Sequence, residues 1–254
     1  MLSIIKSLVL QGLEGILVDV EVDISAGMPS WDIVGLPDIS IKESKERVRT
    51  AIKNCDIELP SRKYIINLSP AHVRKEGSFF DLPIAIGILK SIGIIKNKEL
   101  KEVLFIGELS LEGNINSVKG VLPMCIEALK YGIKRVIVPK ENLREAKIVK
   151  ELDIVAINNL KELILYLNGK IEFKEEYIEF EDKKIEKNLD FKDVKGQANI
   201  KRALEIAAAG GHNCLMVGFP GSGKTMMAKR VSTILPDMTF EETLEVTKIH
   251  SVAR

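Results

Sequence analysis

Residues Asn213-Cys214-Leu215-Met216-Val217-Gly218-Phe219-Pro220-Gly221-Ser222-Gly223-Lys224-Thr225 decide the fold of the C-terminal part of this chain. Residues 213–217 are a short apolar run suited to a buried strand, residues 218–225 have the form G-x-x-x-x-G-K-T, and residues 226–235 read as a helix. Glycines let consecutive backbone N–H groups turn inward around a phosphate, while Lys224 places a point charge beside them. Thr225 offers its hydroxyl to Mg²⁺, and the N-terminus of the following helix meets the same anion. The pattern predicts a phosphate-binding loop made of Gly218, Phe219, Pro220, Gly221, Ser222, Gly223, Lys224 and Thr225, taking ATP and Mg²⁺, with Thr225 as the metal ligand.

Hydrolysis asks for more, namely a carboxylate at the end of a second buried strand to hold the metal and orient water. No such strand is legible after Thr225. Asp237 follows Pro236, which cannot donate to a sheet ladder, so Asp237 reads as a turn cap. Glu241, Glu242 and Glu245 read as the solvated face of a further helix. The expectation is a chain cut inside its ATPase domain, which binds nucleotide, has no catalytic residue of its own and does not turn nucleotide over.

With 254 residues, 46% of them apolar, the chain can bury one large core or two modest ones. Lys and Arg number 37 against 36 Asp and Glu, so no global basic field points to nucleic acid or membrane. Cys55, Cys125 and Cys214 are far apart in apolar or helical stretches, as reduced core thiols of a cytoplasmic protein would be. No zinc spacing is present. No apolar run approaches the ~20 residues of a membrane span, and residues 1–6 lack a signal pattern.

Ahead of the loop, strands and helices alternate. Ile16, Val18, Val20, Val22 and Ile24 recur with a period of two, which marks a half-buried antiparallel strand, and residues 7–11 are expected to pair with it. Ser40 with Glu43 suggests a capped helix running to about Asn54. Residues 64–68 and 103–109 read as strands, 82–95 as an apolar helix, and Glu112-Gly113-Asn114 as a hairpin turn. A helix at 122–131, strands at 135–138 and 154–156, and a helix opened by Asn159 with Glu162 at its third position complete a mixed α/β pattern. From 171 to 190 charged residues dominate. That stretch is the expected linker between a first domain at 1–170 and a second at 191–254, although Ile171, Phe173, Tyr177, Ile178 and Phe180 also suit an exposed edge hairpin.

Residues 113–120 (Gly-Asn-Ile-Asn-Ser-Val-Lys-Gly) and 128–142, with Lys75-Glu76-Gly77-Ser78-Phe79-Phe80-Asp81-Leu82-Pro83-Ile84-Ala85, resemble the proteolytic domain of Lon-type proteases, a fold shared with the second domain of ribosomal protein S5. The resemblance implies a Ser-Lys dyad, but the serine falls on Phe79 and the lysine on Leu122, neither of which can attack a carbonyl or accept a proton. Peptidase activity is therefore expected to be absent. Ser78 with Lys119 would need two separate slips to substitute, and Ser78 reads as a turn or cap residue.

Taken whole, the chain resembles the ComM/YifB family of magnesium-chelatase-like AAA+ proteins. The likeness rests on Gly12-Leu13-Glu14-Gly15, Val34-Gly35-Leu36-Pro37-Asp38, residues 80–89, residues 191–213 and the phosphate loop. It implies a Lon-like mixed-sheet domain followed by a truncated P-loop AAA+ domain, in a protein that self-assembles into a hexameric ring and acts on DNA in recombination and natural transformation. A magnesium-chelatase-like remodelling role with a non-DNA client, or a Lon-like domain serving assembly or recognition, are the alternatives. Asp193 to Gln197 resembles the segment that lies against the adenine, and equally suits a simple N-terminal turn.

A DNA contact through Lys42, Lys45, Arg49 and Lys53, helped by Arg62, Lys63, Arg74 and Lys75, is a candidate; a solvated amphipathic helix is the favoured alternative. His72, His212 and His250 have no metal or catalytic spacing, and Trp31 stands alone. An incomplete parallel sheet leaves apolar edges uncovered, so a well-folded first domain is expected beside a mobile or partner-dependent C-terminal part.

Overall fold

The computed structural model describes residues 2–97, 99–173 and 189–253. The chain forms two compact units, one of Met1–Ile178 with Glu245–Arg254 and the other of Glu179–Leu244. The boundary falls in the stretch expected as a linker, most of which, including Tyr177, Ile178 and Phe180, lies outside the described residues.

The first unit is built on a seven-stranded mixed sheet. Strands β1 (Ser3–Gln11) and β2 (Glu14–Ser25) form an antiparallel hairpin closed at Gly12, whose φ of +65° a glycine adopts freely. Pairing thus begins at Ser3, earlier than the apolar run alone indicates. On one side β4 (Lys63–Ser69) runs antiparallel to β2, and β3 (Ser30–Val34) lies parallel to β4 at the sheet edge. On the other side β5 (Val103–Phe105), β8 (Arg135–Pro139) and β9 (Asp153–Ile157) continue parallel to β1. The single strand expected at 103–109 divides, because Glu108–Leu109 (β6) leaves the sheet to pair with Ile115–Asn116 (β7) across Glu112-Gly113-Asn114.

Register explains the two-sided core. Val18, Val20 and Val22 share a face with Ser7, Ile5 and Ser3, and helix α2 (Asp81–Ser91) covers it. Ser3 Oγ donates to Gly87 O (2.7 Å), and a Cβ at Gly87 would stand 2.6 Å from Val22 Cγ2, so only glycine allows this approach. Leu8 and Gly15 belong to the opposite face, where a Cβ at Gly15 would meet Glu127 of helix α3 (Val121–Lys130) at 2.7 Å. Buried Ser7 is satisfied by donating to Phe105 O (3.0 Å).

Helix α1 (Ile39–Asn54) is capped by Asp38, not Ser40: Asp38 Oδ1 accepts Ile41 N (2.8 Å) and Oδ2 accepts Gly77 N (3.2 Å). Glu43 turns instead toward Arg47 (3.8 Å). Helix α2 stops at Ser91, short of the expected Ile95. After the four-residue helix α4 (Leu143–Ala146), helix α5 (Leu160–Leu167) starts as read, with Asn159 Oδ1 accepting Glu162 N (2.9 Å). Phe173 packs edge-on against Tyr166, with ring centroids 5.2 Å apart.

The second unit contains a 3-10 turn (Phe191–Asp193), helix α6 (Ala198–Gly210) and helix α7 (Lys224–Val231) around a small core of Phe191, Val194, Leu204 and Met227. Residues 213–217 form no strand: Leu215 and Val217 are 90% and 87% exposed, and Cys214 is exposed with them. A parallel strand exists only by pairing with other strands, and among the described residues none is offered to it. Helix α8 (Phe240–Ala253) is opened by Thr239, whose hydroxyl accepts Glu242 N (3.2 Å). Glu245–Arg254 belong to the first unit instead of the expected 191–254 domain; Gly120 N donates to Ser251 O (3.0 Å), and Ser251 Oγ donates to Glu145.

Candidate nucleotide-binding site

The loop at 218–225 takes its shape from its glycines. Gly221 and Gly223 hold φ of +82° and +85°, and Gly223 leads directly into α7. Ser222 N donates to Phe219 O (3.3 Å), closing a turn. Lys224 folds back over it, its Nζ donating to Gly218 O and Phe219 O (both 2.8 Å) and lying 3.2 Å from Ser222 Oγ. The ammonium is thereby held against the loop's own carbonyls.

The donor set fits a phosphate chain. Met227 N is the first amide of α7 to find an acceptor, Gly223 O at 3.0 Å; the amides of Gly223, Lys224, Thr225 and Met226 have none among the described residues. Helix starts leave such N–H groups to water or to an anion, and the dipole adds to their pull. Gly221 and Ser222 are exposed, and so is Thr225, whose hydroxyl is free for a cation. Val194 packs with Met227 of α7, so the 193–197 segment lies beside the loop's own helix.

The other predicted positions are dispersed. Phe79 stacks on Phe80 with centroids 4.7 Å apart, and Leu122 is fully buried in the first turn of α3, where its N–H donates to Glu145 Oε1 (2.9 Å). Ser78 donates its hydroxyl to Glu108, and Lys119 is exposed. Lys42, Arg49 and Lys53 are exposed on α1, as are Arg62 and Arg74; Lys45 is half-buried. Lys75 is a correction: it is fully buried, with Nζ donating to Pro70 O, and cannot serve a surface contact. Sequence reasoning also missed the pairing of buried Asp81 with Arg47 (2.7 Å), which no spacing announces. Among the described residues no group of acidic, His or Cys side chains is arranged to hold a metal, and no helix is long and apolar enough to cross a membrane.

Two family models match the chain, "Subunit ChlI of Mg-chelatase" over residues 20–142 and "Magnesium chelatase, subunit ChlI" over residues 190–254. The chain belongs to the AAA+ ATPase-like magnesium-chelatase family. Within it the likeness is to ComM and YifB: the competence protein ComM of Haemophilus influenzae is 38% identical over 260 residues, covering 100% of this chain and 50% of that protein. The uncharacterized protein YifB of Escherichia coli is 39% identical over 252 residues, covering 99% of this chain and 49% of its own length. The chain is thus a ComM/YifB-like member, and it spans about half the length of the curated relatives it matches. Lon protease 2 of Bacillus subtilis is 27% identical over 186 residues, covering 65% of this chain and 33% of that protein, in keeping with a Lon-like mixed sheet in the first unit.

Proposed function

We propose that this chain is the nucleotide-binding portion of a Mg²⁺-dependent AAA+ ATPase of the ComM/YifB type. The observation that carries the reading is the exposed loop at 218–225, which holds the Lys224 ammonium beside four amides without acceptors among the described residues. In this reading Lys224 exchanges its carbonyl partners for the β- and γ-phosphates, the amides of residues 223–226 hold the phosphate chain, and the Thr225 hydroxyl ligates the metal. Val194 and its neighbours support α7 from below and lie near the base. Bound Mg²⁺ would neutralise phosphate charge. Among the described residues no strand after Thr225 delivers a carboxylate to orient water, so the reading assigns binding, and not turnover, to these residues.

The test is titration with a fluorescent ATP analogue. Affinity is expected to need Mg²⁺ and to fall about 10- to 100-fold in Lys224→Ala, since hydrogen bonds from a charged donor contribute ~1.5–3 kcal/mol. Equal affinity of the two proteins would overturn the assignment.

For the protein as a whole we propose a cytoplasmic, ring-forming motor directed at DNA, a reading supported by the likeness to a competence protein. The Lon-like unit, with Phe79 and Leu122 at the dyad positions, would then serve assembly or recognition and not peptide hydrolysis. A protein of the relatives' full length should show ATPase activity stimulated by DNA. Activity indifferent to every DNA structure tried would favour a remodelling ATPase with another client, as the match to magnesium-chelatase models also allows.

A further inference from the structure

The β3 edge of the first unit's sheet gathers residues that stand apart in the sequence. Trp31 on β3 stacks against Tyr64 on β4, with centroids 4.7 Å apart and planes 28° apart. The indole borders a cleft of about 200 Å³ whose wall includes Lys45, Arg49, Arg62, Leu59 and Pro60. It also borders a shallower trough of about 550 Å³ that runs toward Lys42 and Val34. Trp31 and Lys45 line both, so the two depressions share a wall.

The charge in this place is one-sided. Among the described residues no carboxylate lines the cleft, and Asp32, which lines the trough, lies 3.2 Å from Ser30 Oγ. Among the described residues Lys45, Arg49 and Arg62 make no salt bridge, whereas Arg47, on the same helix, is committed to Asp81 at 2.7 Å. Burial pushes the Tyr64 phenol up, and the nearby Arg62 and Arg49 draw it back. Unpaired cations around an aromatic surface call for a ligand with repeated negative charge and flat apolar faces.

We propose that this cleft binds single-stranded nucleic acid, with phosphates against Lys45, Arg49 and Arg62 and a base against Trp31. The proposal rests on the DNA-directed reading above and gives it a location. Lys42, Lys45 and Arg49 recur at helical spacing on one face of α1, a row about 10 Å long that tracks a backbone. Trp31 is half-buried, with one face stacked on Tyr64, and an unstacked base is what the part of the indole open to the cleft selects, since duplex bases are occupied by their own neighbours. An acidic peptide would satisfy the cations but leave Trp31 without a role.

The chain has 1 Trp, so its fluorescence reports on this site alone. Titration with an oligothymidine of about 20 nucleotides, longer than the ~4–16 that one binding module occupies, should quench Trp31 and raise the anisotropy of a labelled strand in parallel. Arg49→Gln with Arg62→Gln should weaken binding at least about 10-fold and flatten the log-affinity against log-salt slope by ~0.7 for each phosphate no longer neutralised. Trp31→Leu, followed by anisotropy, should weaken it about 5- to 100-fold, and Arg74→Gln should leave it unchanged. Circular dichroism confirms that each variant is folded. Anisotropy that rises without quenching and ignores these variants would overturn the site while leaving the DNA reading intact. Quenching by polyglutamate, with no binding of the oligonucleotide, would overturn the proposal in favour of an acidic peptide and count against the DNA reading as well. A response to neither probe would also overturn it.

Discussion

Lys75 carries its ammonium out of reach of water, with Pro70 O as its acceptor and, among the described residues, no carboxylate bonded to it. Burial lowers its pKa below the ordinary lysine value of 10.5. Between that lowered value and 10.5 the unfolded chain binds more protons than the folded one, so stability rises with pH across this window. Lys75→Met, which keeps the stem and removes the charge, should therefore raise the unfolding midpoint at neutral pH, with the gain shrinking as pH climbs toward 10.5; thermal melts at several pH values check both the sign and the trend. Asp81 behaves oppositely on substitution. It is fully buried and accepts from Arg47 Nε (2.7 Å), Arg47 Nη2 (3.0 Å) and Leu109 N (3.2 Å), joining α1 to α2 and β6. Asp81→Ala leaves a guanidinium without its partner and should cost ~3–5 kcal/mol by denaturant titration. Neither role was legible in the sequence. Lys75 read as one more surface cation and Asp81 as part of a family motif, because burial of a charge depends on which loops close over it, and no local pattern records that.

Elements with a strong period were legible and elements that depend on distant partners were not. The alternation from Ile16 to Ile24 appears in the structure as β2, whose Val18, Val20 and Val22 are fully buried. The turn through Gly221 and Gly223 and the start of α7 were readable as backbone shape, since glycines act within a few residues of one another. Residues 213–217 are the counterexample, an apolar run that becomes a strand only when neighbouring strands accept its amides. The cap of α1 went to Asp38 over Ser40 because Asp38 also receives an amide from Gly77, a contact that crosses 39 residues. Asp38→Ala should cost ~1–2 kcal/mol, more than a simple cap, through loss of both bonds. Gly35 joins the same element to the sheet: its φ is +99°, and a Cβ there would stand 2.3 Å from Leu68 O. Gly35→Ala should destabilise the first unit by at least ~1–3 kcal/mol, read as a lowered denaturation midpoint, because a backbone oxygen cannot rotate aside.

At the scale of the molecule, the two units differ in how much apolar surface each removes from water. The first buries an extended core on both faces of its sheet, whereas the second relies on Phe191, Val194, Leu204 and Met227. Local opening is cheap where few apolar contacts oppose it. Amides at 198–231 should therefore exchange with deuterium sooner than those of β1, β2 and β4, and Mg²⁺ with nucleotide should slow them by mass action on the folded form. Uniform protection across the chain would contradict this. The pairing of β1 with β5 also governs how the protein comes into being. Ser7 donates its hydroxyl to Phe105 O across 98 residues, so at ~5–20 residues per second a ribosome needs roughly 5–20 s to supply the partner. Until then the nascent β1–β2 hairpin displays one bare edge, and slow translation or an idle chaperone at that stage would turn an ordinary sheet strand into a site for misassembly between neighbouring nascent chains.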